Sequence, residues 1–404
     1  MTRSPTASRR LAVHFVRFGP YHLARLRTAA PLLAPRGWQL IGLETAALDR
    51  TYAWRHEVAA TPFERHTVFP QAAAEALPAR ELRRGMAAAL NRLMPHAVAI
   101  AGWATPDARA CLAWCRRHGA RAILMSDTRA ADGRRVWWKE AVKRRLLRGL
   151  DGALVAGRSQ RDYLNSLGLP AERTAFGFDV VDNAYFRTAS RQWRCQQDRP
   201  DRPYLLASNR FVPRKNLKAL LQAFAAYAQA IGNRQLQAWD LCLLGDGPER
   251  QALLQHAGDL GLWTHAGCPW DPERPRRSAP GVLFPGFRQI EELPRFYAHA
   301  AALIHPALSE PWGLVINEAM ASGLPVLSSD NVGAAEELVD EGVNGFCFNP
   351  RSIEAITEAL IRLACLPRER IEAMGAASDA LIEQRCPTAA FAEGLHQLLS
   401  LPPR

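Results

Sequence analysis

Two glutamates eight residues apart, Glu310 and Glu318, mark the segment of this 404-residue sequence richest in chemistry. They stand in the run SEPWGLVINEAMASGLPVLSSDNVGAAEELVDEGVNGFCFN, from Ser309 to Asn349. The apolar residues Ala302 to His305 before Glu310 read as a strand, and Leu314 to Ser322 read as a helix that begins near Gly313. One carboxylate is therefore held in a loop and the other early in the helix, both near its amino-terminal mouth. The amides of Trp312, Gly313 and Leu314 at that mouth have no intrahelical acceptor. With the positive end of the helix dipole they form a phosphate-binding site. Carboxylates accept hydrogen bonds from sugar hydroxyls while such amides hold an anionic leaving group, so the constellation suits a sugar joined to a phosphate.

The elements that position these groups alternate in type. In the first half, strands are expected at Leu11 to Val16, Trp38 to Leu43, Ala97 to Gly102, Arg121 to Met125 and Ala153 to Gly157, with helices at Tyr21 to Leu33, Thr105 to His118, Arg135 to Leu147 and Gln160 to Leu167. A second series has strands at Tyr204 to Ala207, Leu241 to Leu244, Val282 to Phe284, Ala302 to His305 and Pro325 to Ser328. Helices are expected there at Leu217 to Ile231, Glu291 to His299, Leu314 to Ser322, Ile353 to Leu363 and Arg368 to Glu383, and a last one runs from Ala389 to Leu399. Strand and helix in turn predict parallel sheets covered on both faces. The fold class is α/β, with two Rossmann-like, doubly wound domains facing a central cleft. The expected limits are 1–188 for the first domain, 189–203 for a polar linker, 204–388 for the second, and 389–404 for a C-terminal helix that crosses back. The Pro- and Gly-rich stretch Trp263 to Gly281 reads as an exposed loop.

The run E-P-W-G-L-V-I-N-E-A-M-A-S-G-L-P-V resembles the E-x7-E signature of glycosyltransferase family 4, retaining enzymes of the GT-B fold. The resemblance implies that Glu310 contacts the donor sugar near the reacting carbon and that Glu318 accepts the nucleotide ribose hydroxyls. In NRFVPRKN, Asn209 to Asn216, Arg210 and Lys215 match the family's R-x4-K pattern for the donor diphosphate. Cations there neutralise charge that grows as the diphosphate leaves. VLFPGFR, Val282 to Arg288, resembles the element where the nucleobase lodges, which makes Phe287 and Arg288 candidates for base contact. Gly245, in LLGDGP, ends a strand in a turn where backbone can approach a ligand closely; a plain turn is the alternative.

The first half matches the family in part. Gly19 stands at the first strand-to-helix turn, where relatives often carry one or two glycines, and His22 is an acceptor-side candidate. Many relatives place a histidine after the strand corresponding to Ala122 to Met125. This sequence reads Ser126-Asp127-Thr128 there, so Ser126 or Asp127 takes over contacts to substrate hydroxyls or simply caps a helix.

Charge is uneven: residues 1–190 hold 30 Lys/Arg against 15 Asp/Glu, the remainder 21 against 24. Arg134 to Arg148, RRVWWKEAVKRRLLR, concentrates seven cations with Trp137 and Trp138. As a helix it fits an anionic membrane surface, or a solvated helix with a buried apolar stripe. No nucleic-acid-binding motif accompanies it, so nucleic acid is not an expected partner. The sequence has no apolar run near the roughly 18 residues of a membrane span, and a cytoplasmic protein, peripheral on the inner membrane face, is expected. The eight cysteines form no metal-spaced cluster, and neither metal nor cofactor is expected.

The resemblance implies retaining transfer of a sugar from a nucleotide-sugar donor to a hydroxyl of a glycan or lipid-linked glycan, in cell-surface polysaccharide or glycolipid synthesis. Other readings on the same fold are an epimerase acting on the nucleotide sugar, a glycan phosphorylase, or a non-catalytic membrane-associated assembly subunit. A phosphorylase needs a pyridoxal-phosphate lysine, and the second domain holds only Lys215 and Lys218.

Overall fold

The computed structural model describes residues 8–48, 54–55, 60–133, 135–196, 198–234, 236–275 and 277–404. Arg134, the first cation of the basic segment, lies outside them. The chain divides into two compact units, Met1–Asp182 with Pro387–Arg404, and Asn183–Cys386. Each unit is built on a seven-stranded sheet in which every strand pair is parallel.

In unit one the strands are β1 (Arg9–Phe15), β2 (Trp38–Leu48), β3 (Glu64–Ala73), β4 (Ala97–Ala101), β5 (Arg121–Ser126), β6 (Gly152–Val155) and β7 (Thr174–Phe176), in the spatial order β3-β2-β1-β4-β5-β6-β7. In unit two they are β8 (Tyr204–Ser208), β9 (Asp240–Leu244), β10 (Trp263–His265), β11 (Gly281–Gly286), β12 (Ala302–His305), β13 (Val326–Ser329) and β14 (Gly345–Phe348), in the order β10-β11-β9-β8-β12-β13-β14. Leu205, Ala207, Leu241, Leu243, Ala302 and Ile304 join one core with helices Leu217–Asn233 and Ile353–Ala364. Tyr204, Leu206, Cys242 and Leu303, of the opposite parity, are buried as well. Burial on both faces is why the central strands appear in the sequence as unbroken apolar runs.

The four strands absent from the sequence expectation are β3, β7, β10 and β14, the four sheet edges. An edge strand pairs on one side only, so it is short or polar; β3 reads ERHTVFPQAA and β7 has three residues. The stretch expected as a loop from Trp263 to Gly281 thus begins with edge strand β10. The polar linker expected at 189–203 needs the same correction, because a helix runs Asn183–Arg194 and is held by side chains that a periodicity reading misses. Arg187 pairs with Asp379 at 2.6 Å, and Arg194 donates to the Ser322 and Ala298 carbonyls.

Helix Ala390–Ser400 packs on β6 and β7 within unit one. Phe391, Leu395 and Leu398 are buried there. Gly394 lies so close that an added Cβ would come 2.3 Å from the Phe176 carbonyl. Among the described residues no helix is long and apolar enough to cross a membrane, and all eight cysteines are free thiols.

Candidate active site

In unit two the site forms where β8 and β12, neighbours in the sheet, end on the same side. After β8 the chain runs through Asn209 to a tight turn at Pro213–Lys215, then enters helix Leu217–Asn233. Its backbone is pinned: Phe211 N donates to Asp246 O at 2.8 Å, and Leu308 N donates to Arg214 O at 2.8 Å. The second bond ties the basic loop to the chain that follows β12. Gly245 serves this packing. Its φ is +129°, and a Cβ there would lie 1.9 Å from the Asn209 carbonyl. Its amide donates to Gly286 O. The glycine is needed for backbone against backbone, before any ligand is considered.

Lys215, 8% exposed, places its ammonium 2.6 Å from Glu310 Oε2, and Arg214 Nη1 reaches the same oxygen at 2.8 Å. Burial draws the Lys215 ammonium below its ordinary range, and the Glu310 carboxylate opposes that pull. Arg210 is exposed on the same loop, close enough for its charge to act on Lys215. Glu310 is fixed through its backbone. Its amide donates to Asn331 O and its carbonyl accepts from Gly333 N, a one-residue bridge to the chain after β13.

Three residues on, Gly313 is the cap of helix Leu314–Ala321 with φ +103°, left-handed backbone that glycine takes without strain. The first helical bond there is Ile316 N to Gly313 O, so the amides of Trp312, Gly313 and Leu314 precede it. The Trp312 side chain is buried and its indole N–H donates to Asn317 Oδ1 at 3.0 Å; what it offers a ligand is its main chain. Glu318, 2% exposed, accepts from the Tyr297 hydroxyl at 2.6 Å.

Lys215, Glu310, Gly313 and Leu314 thus come together, with Arg214 added to them. Arg288 does not offer a free guanidinium. It donates to Glu292, to the Pro285 carbonyl and to Cys268 Sγ, within its own loop and its neighbour. Phe287 follows β11 and is partly buried. Sequence reasoning missed Arg214, Tyr297, Asn317 and His305. His305 ends β12, is 0% exposed, and has no hydrogen-bond partner on either ring nitrogen. Burial, then the charges of Lys215 and Arg214, holds its imidazole well below the usual histidine range, and so neutral. The only sequence signal for Arg214 was its place beside Lys215; for Tyr297 there was none.

In unit one Gly19 caps helix Pro20–Leu33 with extended backbone, φ −94°, so no conformational need for glycine arises there. Its amide donates to His22 Nδ1 at 3.0 Å, and the ring stacks on Phe15 with centroids 4.2 Å apart. His22 is thereby a helix-capping residue whose second nitrogen, Nε2, carries the proton. Burial, aided by Arg25, pulls its pKa down to about 3. Glu44, fully buried, holds the preceding turn by accepting from Phe18 N at 2.6 Å. Ser126 ends β5 and is buried, with its hydroxyl accepting from the Thr128 amide, which is a turn-forming role. Asp127 follows it, partly buried.

The architecture is the GT-B fold, two Rossmann-like domains. Residues 202–365 match the family model described as glycosyl transferases group 1. Among curated proteins the chain is 28% identical over 277 residues to a GDP-mannose-dependent alpha-(1-6)-phosphatidylinositol monomannoside mannosyltransferase of Mycobacterium tuberculosis, covering 65% of each. It is 29% identical over 198 residues to a sulfoquinovosyl transferase of Arabidopsis thaliana, covering 48% of this chain and 33% of that one. The chain therefore spans 65% of the length of the mannosyltransferase it matches. Among solved structures, the Anabaena HepE protein in complex with UDP and glucose superposes with a TM-score of 0.70 at 19% identity, covering 97% of this chain and 99% of that one. A sucrose-phosphate synthase from Thermosynechococcus elongatus gives a TM-score of 0.71 at 19% identity over 97% and 98%.

Proposed function

We propose that this chain is a retaining glycosyltransferase that moves a sugar from a nucleotide-sugar donor to a hydroxyl of a glycan or lipid-linked glycan. The observation that carries the reading is the junction of Lys215, Arg214 and Glu310 beside the open amides of helix Leu314–Ala321. Cations and amides suit a diphosphate, and the carboxylates suit the sugar and ribose hydroxyls. The family model described as glycosyl transferases and the two curated relatives named as mannosyl and sulfoquinovosyl transferases support the same reading.

On this reading Arg210, Lys215 and the amides of Trp312, Gly313 and Leu314 hold the diphosphate and strengthen their hold as its charge grows. The acceptor oxygen bonds to the anomeric carbon as the bond from that carbon to the phosphate oxygen breaks. The acceptor's proton passes to the departing phosphate oxygen, on the same face of the sugar, which retains configuration. Glu310 faces the sugar and Glu318 the ribose. The charge is met by side chains and amides, so the reading calls on no metal or cofactor. His22, Ser126 and Asp127 are the unit-one candidates for acceptor or substrate hydroxyls.

The same reading puts the protein in the cytoplasm, on the inner face of a membrane. Helix Trp137–Leu147 buries only Leu147, while Trp137 is 81% and Trp138 52% exposed beside Lys139, Arg144 and Arg145. Indole rings next to arginines suit anionic headgroups. Lys143 is not part of that face, since its ammonium is held by Tyr163 at 2.6 Å and Glu140 at 2.9 Å.

The test of the donor reading is a thermal-shift screen with UDP, GDP, ADP and their sugars. A ligand at a hundred times its dissociation constant stabilises by about 2.7 kcal/mol. No stabilisation by any of them would reject the assignment.

A further inference from the structure

His305 lies against the charged centre of the site with both ring nitrogens unpartnered. Buried polar atoms are nearly always paired, so an imidazole left bare there calls for an explanation. Being neutral, it presents one N–H and one lone pair. The space next to it is defined by Gly313: a Cβ built on that residue would sit 3.0 Å from Val332 Cγ1, 3.5 Å from Glu310 Cγ and 3.8 Å from His305 Nε2. Because glycine supplies none, the glutamate side chain and the imidazole border the same gap.

The Glu310 backbone is fastened on both sides by Asn331 and Gly333, so only its side chain can respond to a ligand. That side chain, 13% exposed, is held by Lys215 and Arg214 through one oxygen. On the donor reading above, which this inference rests on, a diphosphate competes for those cations. A carboxylate that loses its partners in a largely buried setting is strongly disfavoured unless another donor takes it. We infer that His305 is a positioning residue for Glu310: its Nε2–H takes the carboxylate when a nucleoside diphosphate draws Lys215 and Arg214 away. The exchange moves hydrogen bonds and no proton. It couples donor arrival to the placement of Glu310, because the diphosphate frees the carboxylate and His305 decides where it settles.

The test uses the full chain labelled with 15N in histidine, titrated with UDP and with GDP and followed by long-range 1H–15N spectra, with His305 signals assigned by comparison with His305→Gln. The nucleotide that binds should shift His305 Nε2 toward the value of a hydrogen-bonded donor. The shift should vanish in Glu310→Ala while calorimetry still shows binding. In turnover of GDP-mannose or UDP-glucose, His305→Phe should lower kcat by about tenfold to a hundredfold, the loss of a hydrogen bond to a charged group, with donor KM little changed. His305→Gln, which keeps an N–H near the same place, should recover most of it. Nucleotide binding that leaves the His305 nitrogens unmoved, or a His305→Phe enzyme with parental kcat, would overturn the inference and leave the donor reading intact. Failure of UDP, GDP and ADP alike to bind would remove the donor reading and this inference with it.

Discussion

The Lys215 ammonium and the Glu310 carboxylate meet at 2.6 Å, although 95 positions separate them in the chain. The contact exists because β8 and β12 are neighbours in the sheet and both loops leave from the same ends. On the proposed function, an anionic ligand that engages Lys215 and Arg214 competes with Glu310 for them.

Lys215→Ala should therefore weaken binding of UDP or GDP by about tenfold to a hundredfold, the loss of a charged hydrogen bond. Binding of the corresponding nucleoside should hardly change. Titration calorimetry with both ligands checks it, and equal losses would place the diphosphate elsewhere.

The two glutamates should separate by kinetics. Glu310→Gln is expected to lower kcat with a modest change in donor KM, because its contact responds to charge developing at the reacting carbon. Glu318→Gln is expected to raise donor KM with a smaller change in kcat. It also weakens the bond from Tyr297, so Tyr297→Phe should reproduce part of the KM effect. Each loss is on the order of 1–3 kcal/mol. Steady-state kinetics with a defined donor and acceptor would show the roles exchanged if the pattern were reversed.

His22 makes unit one sensitive to acid. Its folded pKa of about 3 lies below the ordinary 6.5, so the unfolded chain takes up the proton first. The stability it contributes is complete above pH 6.5 and is lost as pH falls toward 3, at a rate on the order of 1 kcal/mol per pH unit. Urea denaturation at pH 7 and pH 5 should show this loss in the parent and a smaller one in His22→Gln. Equal slopes would mean that His22 is not held neutral.

Sedimentation with vesicles tests the basic helix. Binding should require anionic lipid and fade as salt rises, and should drop when Arg144 and Arg145 become Glu or Trp137 and Trp138 become Ala. Lys143 is left unchanged because its bonds to Tyr163 and Glu140 hold the helix in place. Binding that ignored salt and these changes would discard the surface.

Gly245→Ala should destabilise unit two and weaken nucleotide binding together. Its Cβ would strike the Asn209 carbonyl at 1.9 Å, and the loop that carries Arg210 and Lys215 would have to move. A normal melting temperature with normal UDP or GDP affinity would show that the loop absorbs the strain.

The sequence alone determined the ten central strands of the two sheets, because strands buried on both faces are written as short continuous apolar runs. It also singled out Glu310 and Glu318, because a helix mouth and its flanking carboxylates are local features, while Arg210 and Lys215 were named by the family resemblance. The edge strands were left to tertiary structure: β3, β7, β10 and β14 are each defined by pairing with a single neighbour, which local apolar patterning does not record. The same holds for the site's own pairings. Arg214 with Glu310, Tyr297 with Glu318 and the unpartnered His305 beside Gly313 arise where separate elements converge. Local periodicity carries no record of which strand ends become neighbours, so only the fold could decide which cations Glu310 would meet.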